Sequence, residues 1–361
     1  MAVGLFDTET PLRPLRAALA ERAAAVLASG RYVLGPEVEG FEADFAAHLG
    51  ARHVVGVANG TDAITIALRA MGVGPGDEVV VPSFTFYASA EAIPPTGALP
   101  VFCDVDPDTF CLTAETVRAA LTPRTKAVVA VDLFGNVAPV EEIAALGVPV
   151  LEDAAQAAGS RAGGLRAGTL GAAATFSFFP SKNLGGFGDG GAIVTDDDAI
   201  AEMARMLRFH GSRDKVDYEL VGYNSRLDEL QAALLRVLLP HLDGWSDGRR
   251  AAARHYAEAG LGDYVALPRP TEGADPAWHL YVIRHPYVDR LGPALERVGI
   301  GQKAYYRTPV HRQPAMAPFA DGPELPATDE LAATHLAIPM SPVLDRLQAI
   351  EVVSAIRGAR A

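Results

Sequence analysis

TFSFFPSKNLGGFGDGGAIVT, residues 175–195, decides how the rest of the chain is read. It opens as an apolar strand, and Pro180 stops that strand because it has no N–H to give to a sheet ladder. Gly191 to Thr195 then begins a second short strand. Between the two, Lys182 sits in a turn flanked by Ser181 and Asn183. The glycines at 185, 186, 188, 190 and 191 allow a positive φ or the close approach of another group. A lysine held in such a turn and taken out of water has a lowered pKa, so its neutral amine becomes available for Schiff-base chemistry. A loop lysine is also commonly a plain solvated charge, so the meaning of Lys182 depends on its companions.

Working outward, strands and helices alternate. Strand segments fall at 53–58, 78–81, 99–104, 127–132, 148–151, 173–178 and 192–195. Helical patterns fall at 13–29, 38–49, 87–93, 113–121, 139–145 and 197–208. A further helix opens at Asn59-Gly60-Thr61-Asp62, with Ile64, Ala67, Leu68 and Met71 at i, i+3, i+4 and i+7. Near-continuous valine-rich strands alternating with helices predict an α/β fold with a mainly parallel sheet buried on both faces and flanked by helices. The helix read from Arg226 to Leu239 is the longest strongly patterned one, and Pro240 marks its end or a kink. After Trp245 the pattern changes: a helix over 246–259, a strand over 280–283, a helix over 288–298, a loop rich in Tyr, Arg and Pro, and a last helix over 343–358. This predicts a large α/β domain over 1–245 and a smaller C-terminal α+β domain over 246–361.

The 361 residues are enough for two such domains. The net charge of −13 argues against general binding of nucleic acid or an anionic membrane, while leaving room for a local cationic pocket. Cys103 and Cys111 make neither a metal spacing nor a disulfide framework, and read as buried thiols in a reducing compartment. No long apolar run reads as a membrane span, and the N-terminus has no secretory pattern, so a cytoplasmic location is expected.

In a doubly wound sheet, ligands gather at the carboxyl ends of the strands. Four spots fall there. Asn59-Gly60-Thr61-Asp62 opens a helix whose free N–H groups would hold a phosphate, though the same residues would make an ordinary helix cap. Pro82-Ser83-Phe84-Thr85-Phe86-Tyr87 carries aromatics that would stack on a flat ring or pack in the core. Asp153 follows the strand Val148–Leu151 at its carboxyl end and leads into Gln156. A buried carboxylate there needs a partner, either a protonated pyridine nitrogen or a structural salt bridge. Because adjacent strand residues point to opposite faces, only one of Glu152 and Asp153 faces the site. Ser177, on the strand that delivers Lys182, would add a hydroxyl to a phosphate cup. A phosphate cup, a ring stacker, a carboxylate for a pyridine nitrogen and a lysine for an aldehyde together match one cofactor, pyridoxal 5′-phosphate.

With these residues in view, the chain resembles the DegT/StrS family of pyridoxal-phosphate-dependent sugar-nucleotide aminotransferases, of the aspartate aminotransferase fold type I. The resemblance runs from about Gly35 to the C-terminus, through NGTDAI, GPGDEVVVPSFTFYAS, GALPVFCDVDPDTF, EDAAQAAGS, FSFFPSKNLGGFGDGGAIVT, LRFHG and GYNSRLDELQAALL. It implies that Lys182 carries the cofactor as a Schiff base and then moves the proton, with Asp153 on the pyridine nitrogen and Gln156 on the phenolic oxygen. It also implies that Phe86 stacks on the ring and that Gly60, Thr61 and Ser177 hold the phosphate. Asn224 would reach the phosphate of the neighbouring subunit, which implies a homodimer with shared active sites. For the sugar nucleotide the resemblance offers Arg226, Tyr305, Tyr306, Arg307 and His311, arginine suiting pyrophosphate through its planar fork. His210 also matches a family motif, without an assigned role. Ala158 stands where many relatives have His, which bears on the substrate rather than on the reaction class. The implied reaction is a ping-pong transfer from L-glutamate, leaving as 2-oxoglutarate, to a UDP- or dTDP-linked keto sugar. The run KNLGGFGDGG is like that of relatives that aminate C-3. A C-4 aminotransferase, a sugar dehydratase and a catalytically silent regulator are the alternatives. A lysine rather than a histidine at 182 argues against the dehydratase.

Overall fold

A computed structural model describes residues 3–359. Its centre is a seven-stranded sheet of β1 (His53–Val57), β2 (Glu78–Pro82), β3 (Leu99–Cys103), β4 (Thr125–Val131), β5 (Val150–Asp153), β6 (Ala173–Ser177) and β7 (Gly191–Thr195). The spatial order is β1-β7-β6-β5-β4-β2-β3. From β3 through β6 the neighbours are parallel. β7 runs antiparallel to both β6 and β1. The sheet is therefore mainly parallel with one reversed strand, inserted by the short return that carries Lys182. Strands β2, β5 and β7 are buried along their whole length, as a sheet covered on both faces requires.

The covering helices are α1 (Arg16–Ser29), α2 (Pro36–Leu49), α3 (Gly60–Ala70), α4 (Asp198–Leu207), α5 (Glu229–Leu238), α6 (Leu242–Glu258), α7 (Val288–Arg297) and α8 (Arg346–Ala359). Ala63 to Leu68 of α3 are all buried, and that helix packs against α4 and β6. The helix expected from Arg226 begins instead at Glu229. Residues before it stay extended: Asp228 bridges to Val33, and Asn224 bridges to Phe209. Pro240 sits in a single 3-10 turn, Leu239–His241, that joins α5 to α6. Its missing N–H breaks the helix without reversing the chain.

One core lies between β1–β5 and α3, and a second under α1, α2 and α5. A third gathers Tyr256, Leu261, Tyr281, Ile283, Leu295, Ile338 and Val352 around a two-stranded antiparallel sheet of β8 (Tyr281–Arg284) and β9 (His335–Ile338). β9 and the helix Pro326–Thr334 before it are absent from the sequence reading. HLAI is a four-residue apolar run without alternation, too short for periodicity to identify. We retain the division near residue 246 as a proposal. It falls inside α6, whose Leu242 belongs to the second core and whose Ala252 and Tyr256 belong to the third.

Candidate active site

The lysine turn follows directly from β6. The Lys182 N–H donates to the Phe179 carbonyl at 2.9 Å, and the Gly186 N–H to the Phe178 carbonyl at 2.7 Å. None of the five glycines in this loop takes a positive φ. Their use is close approach: a Cβ on Gly185 would lie 2.5 Å from the Pro180 carbonyl oxygen, and one on Gly191 would meet the Asn59 carbonyl. Asn183 fixes the turn from below, its side-chain amide donating to the Ala158 carbonyl at 3.2 Å and the Ala277 carbonyl at 3.1 Å. Burial brings the Lys182 pKa down from 10.5 to about 8, against an opposing pull from the nearby Asp153 charge.

At the end of β1, Asn59 caps α3 by accepting from the Asp62 N–H at 2.8 Å. That uses one free donor of the first turn and leaves the N–H groups of Gly60 and Thr61 uncapped, in two residues that line the same cavity as Lys182. The capping and phosphate-holding readings of these residues are thus compatible. Gly60 lies against Ser177, and a Cβ there would come within 2.8 Å of the Ser177 Cβ. From β5, Asp153 projects toward the cavity and is only 4% exposed. It accepts from Ser89 Oγ at 2.8 Å and from the Ala155 N–H at 3.2 Å. Burial still raises its pKa, so the site rewards a cation beside it. Glu152, its neighbour on the strand, faces away and accepts from the Gly168 and Leu170 N–H groups at 2.6 and 3.0 Å. Alternation along β5 thus separates a site carboxylate from a structural one. The Gln156 side-chain oxygen accepts from the Phe134 N–H at 2.8 Å, and its amide donates to the Tyr306 hydroxyl at 3.3 Å.

These groups surround one cavity of about 440 Å³. It brings together nine of the residues singled out in the sequence: Gly60, Thr61, Phe86, Asp153, Gln156, Ser177, Lys182, Tyr305 and Tyr306. Four do not line it. The exposed Asn224 is hydrogen-bonded to the half-buried Arg226, Arg307 pairs with Asp289 at 2.9 Å, and His311 Nδ1 meets Ser83 Oγ at 2.5 Å. Tyr306 is 9% exposed and stacks on Phe134, so it is part of the core as well as of the wall. A larger open cleft of about 760 Å³ lies beside Tyr264 and Tyr287. It lacks convergent catalytic groups, and its Arg284 is neutralised by Asp108 and Glu330. Among the described residues no cluster of His, Cys, Asp and Glu could hold a metal ion, and no helix is long and apolar enough to cross a membrane.

The family model of the DegT/DnrJ/EryC1/StrS aminotransferases matches residues 15–357. The chain belongs to this family. The match begins twenty residues before Gly35, so α1 belongs to the family fold as well. A "pleiotropic regulatory protein" of Geobacillus stearothermophilus is 45% identical over 99% of this chain and 98% of its own. The dTDP-3-amino-3,4,6-trideoxy-α-D-glucose transaminase of Streptomyces venezuelae is 46% identical over 98% of this chain and 95% of its own. The crystal structure of S. venezuelae DesV in complex with a ketimine intermediate superposes with a TM-score of 0.96, at 45% identity, covering 100% of this chain and 99% of that one. The chain is thus an enzyme of the sugar-aminotransferase type, with the fold of that family.

Sequence reasoning missed several lining residues: Phe6, Ser89, Asp189 and His279. Ser89 lies within a motif segment but has no spacing that marks it as the partner of Asp153. His279 sits alone between Trp278 and Leu280, far from every motif.

Proposed function

We propose that this aminotransferase moves an amino group from L-glutamate to a nucleotide-linked 3-keto sugar, in two half-reactions at one pyridoxal-phosphate site. The observation that carries the reading is Lys182. It lines the same cavity as the buried Asp153 and the first turn of α3, where burial lowers its pKa to about 8. The donor set fits the cofactor at each end. Two uncapped N–H groups and Ser177 suit a phosphate, and a carboxylate whose burial its hydrogen bonds only partly offset suits a protonated ring nitrogen. Bound there, pyridoxal phosphate supplies an electron sink that makes the proton on the substrate carbon removable. The protein's own groups do the rest. Asp153, held by Ser89 and the Ala155 N–H, would set its carboxylate against the ring nitrogen. Gln156 has an amide N–H to spare beyond its bond to Tyr306. Phe86, at the rim, offers a ring for stacking. Lys182, as a neutral amine, would take the proton from the substrate carbon and return it at the C4′ carbon of the cofactor.

Asn224 and Arg226 lie outside their own cavity, which supports a role for them in the site of a second subunit. Exposed apolar residues accompany them, Val216, Tyr218 and Val221 near the pair and Phe86 and Phe179 at the cavity rim, as a homodimer interface would require. Tyr305 at the cavity, with Tyr306, Arg307 and His311 in the following loop, is the proposed sugar-nucleotide side. The 3-keto position rests on the KNLGGFGDGG run and on the 3-amino product named for the Streptomyces relative. The nucleotide is UDP or dTDP, the product an amino sugar, and the work is done in the cytoplasm.

The test is the visible spectrum of the protein with pyridoxal phosphate, before and after L-glutamate. A lysine-dependent band that bleaches with glutamate and returns with a UDP- or dTDP-linked 3-keto sugar is the expected result. A protein that stays colourless with the cofactor refutes the site. The second reading is a regulator that has kept the cofactor site, favoured by the name of the Geobacillus relative. A coloured protein with no turnover on any nucleotide-linked keto sugar would select it.

A further inference from the structure

Three buried histidines lie in the C-terminal third, and their partners distinguish them. His335 uses both ring nitrogens, Nδ1 against the Leu331 carbonyl at 2.6 Å and Nε2 accepting from the Tyr306 N–H at 3.1 Å. The His285 Nδ1 accepts from the Tyr287 N–H at 3.1 Å. His279 is 5% exposed, and its Nδ1 has no partner. Unlike Nδ1, its Nε2 is not sealed from solvent, and the residue lines the cavity that holds Lys182 and Asp153.

The backbone around His279 is built to hold it there. Trp278 takes a φ of 44° and Phe134, opposite, a φ of 60°, both in the left-handed region that strains a side-chain-bearing residue. The Ala277 N–H donates to the Gly135 carbonyl and the Leu280 N–H to the Phe134 carbonyl, each at 3.2 Å. Buried Arg249 donates to the Trp278 and His279 carbonyls at 3.1 and 3.3 Å. Gly135 leaves room for this segment: a Cβ there would lie 2.6 Å from the His279 nitrogen. Phe6 stacks on the imidazole with ring centroids 6.1 Å apart, fixing its plane. Burial, with the Lys182 and Arg249 charges nearby, pushes the pKa of His279 well below the ordinary value, so the ring is neutral and keeps one donor and one acceptor.

This strained, multiply tied segment holds the imidazole at the wall of the active-site cavity with Nδ1 sealed and Nε2 taken by no protein group, so Nε2 is the atom left for a ligand. We propose that His279 is a substrate-contacting residue, its Nε2 hydrogen-bonding an oxygen of the group that enters beside Lys182. This rests on the aminotransferase reading of the cavity. The oxygen belongs either to the carboxylate of the amino donor or to the sugar. On the wall formed with Phe6 and Leu280, the imidazole is the polar group available to either.

The test uses the cofactor-loaded enzyme and the variants His279→Phe and His279→Gln. Phenylalanine keeps a ring against Phe6 and removes both nitrogens, whereas glutamine restores a polar group near the Nε2 position. Each half-reaction is followed in single turnover, bleaching by L-glutamate and return of colour with keto sugar. The dissociation constants of 2-oxoglutarate and of UDP- and dTDP-glucose are measured by calorimetry. The expected result is a loss of roughly 10- to 100-fold in the rate and affinity of one arm for His279→Phe, with most of it recovered in His279→Gln. Loss in the glutamate arm assigns the carboxylate, and loss in the sugar arm assigns the sugar. A loaded His279→Phe enzyme within about twofold of the parent in both arms overturns the proposal. Equal losses in both variants accompanied by a lowered Tm also overturn it, because they mark packing alone. A parent protein that takes up no pyridoxal phosphate refutes instead the reading of the site on which the proposal rests.

Discussion

The state of the Lys182 amine is the sharpest quantity the site offers. With a pKa of about 8 rather than 10.5, about a quarter of the amine is neutral at pH 7.5, against about one part in a thousand for an ordinary lysine. The difference corresponds to about 3 kcal/mol of disfavoured charge. Burial lowers the pKa and Asp153 raises it. Asp153→Asn removes the opposing negative charge, so the midpoint falls below that of the parent. Competitive labelling of the cofactor-free protein with an amine-reactive reagent across pH 6 to 11, read peptide by peptide by mass spectrometry, measures that midpoint. The expectation is half-maximal reactivity of the Lys182 peptide near pH 8 in the parent and at lower pH in Asp153→Asn. A parent midpoint near 10.5, or a rise in the variant, would refute the account of how the turn is desolvated.

Gly60→Ala brings a Cβ within 2.8 Å of the Ser177 Cβ at the open end of α3. It should weaken pyridoxal phosphate binding about tenfold or more while leaving the affinity for pyridoxal, which lacks the phosphate, nearly unchanged, as fluorescence titration would read. Behind the site, Asp132 and Glu152 are two fully buried carboxyls in contact, and burial raises the pKa of both. Glu152 is held as the anion by backbone N–H groups, so Asp132 carries the proton. Denaturant melts should therefore show Asp132→Asn costing less than about 1 kcal/mol and Glu152→Gln about 2–3 kcal/mol, since the glutamine amide turns a donor toward donors.

Much of this was legible because the residues concerned obey short-range rules. β6 stops at Ser177, short of Pro180, whose missing N–H bars the ladder from running on, and the apolar spacing of Ile64, Ala67 and Leu68 fixes α3. Alternation along β5 requires that Glu152 and Asp153 part company. What escaped depends on contacts distant in sequence. The start of α5 is set by the bridge from Asp228 to Val33, which no local propensity encodes. Nor does local sequence encode the reversed direction of β7, since a parallel and an antiparallel strand buried on both faces read alike. The five glycines after Lys182 allowed either positive φ or close approach, and choosing the second needs the neighbouring atoms. His279 was invisible because its significance lies in what it lacks.

The reversed β7 has a consequence for how the protein comes into being. β1 is made early, yet its sheet partner is β7, so Val57 waits for Gly191. Until that strand emerges, β1 has an open ladder edge, and the first turn of α3 beside it cannot meet Ser177. Such a long-range closure is slow for a chain to find, because its loop entropy is lost before the contact rewards it. The phosphate end of the cavity is therefore completed late on the ribosome or during refolding. A nascent chain stopped short of Thr195 would hold most of the parallel sheet and no site for the cofactor.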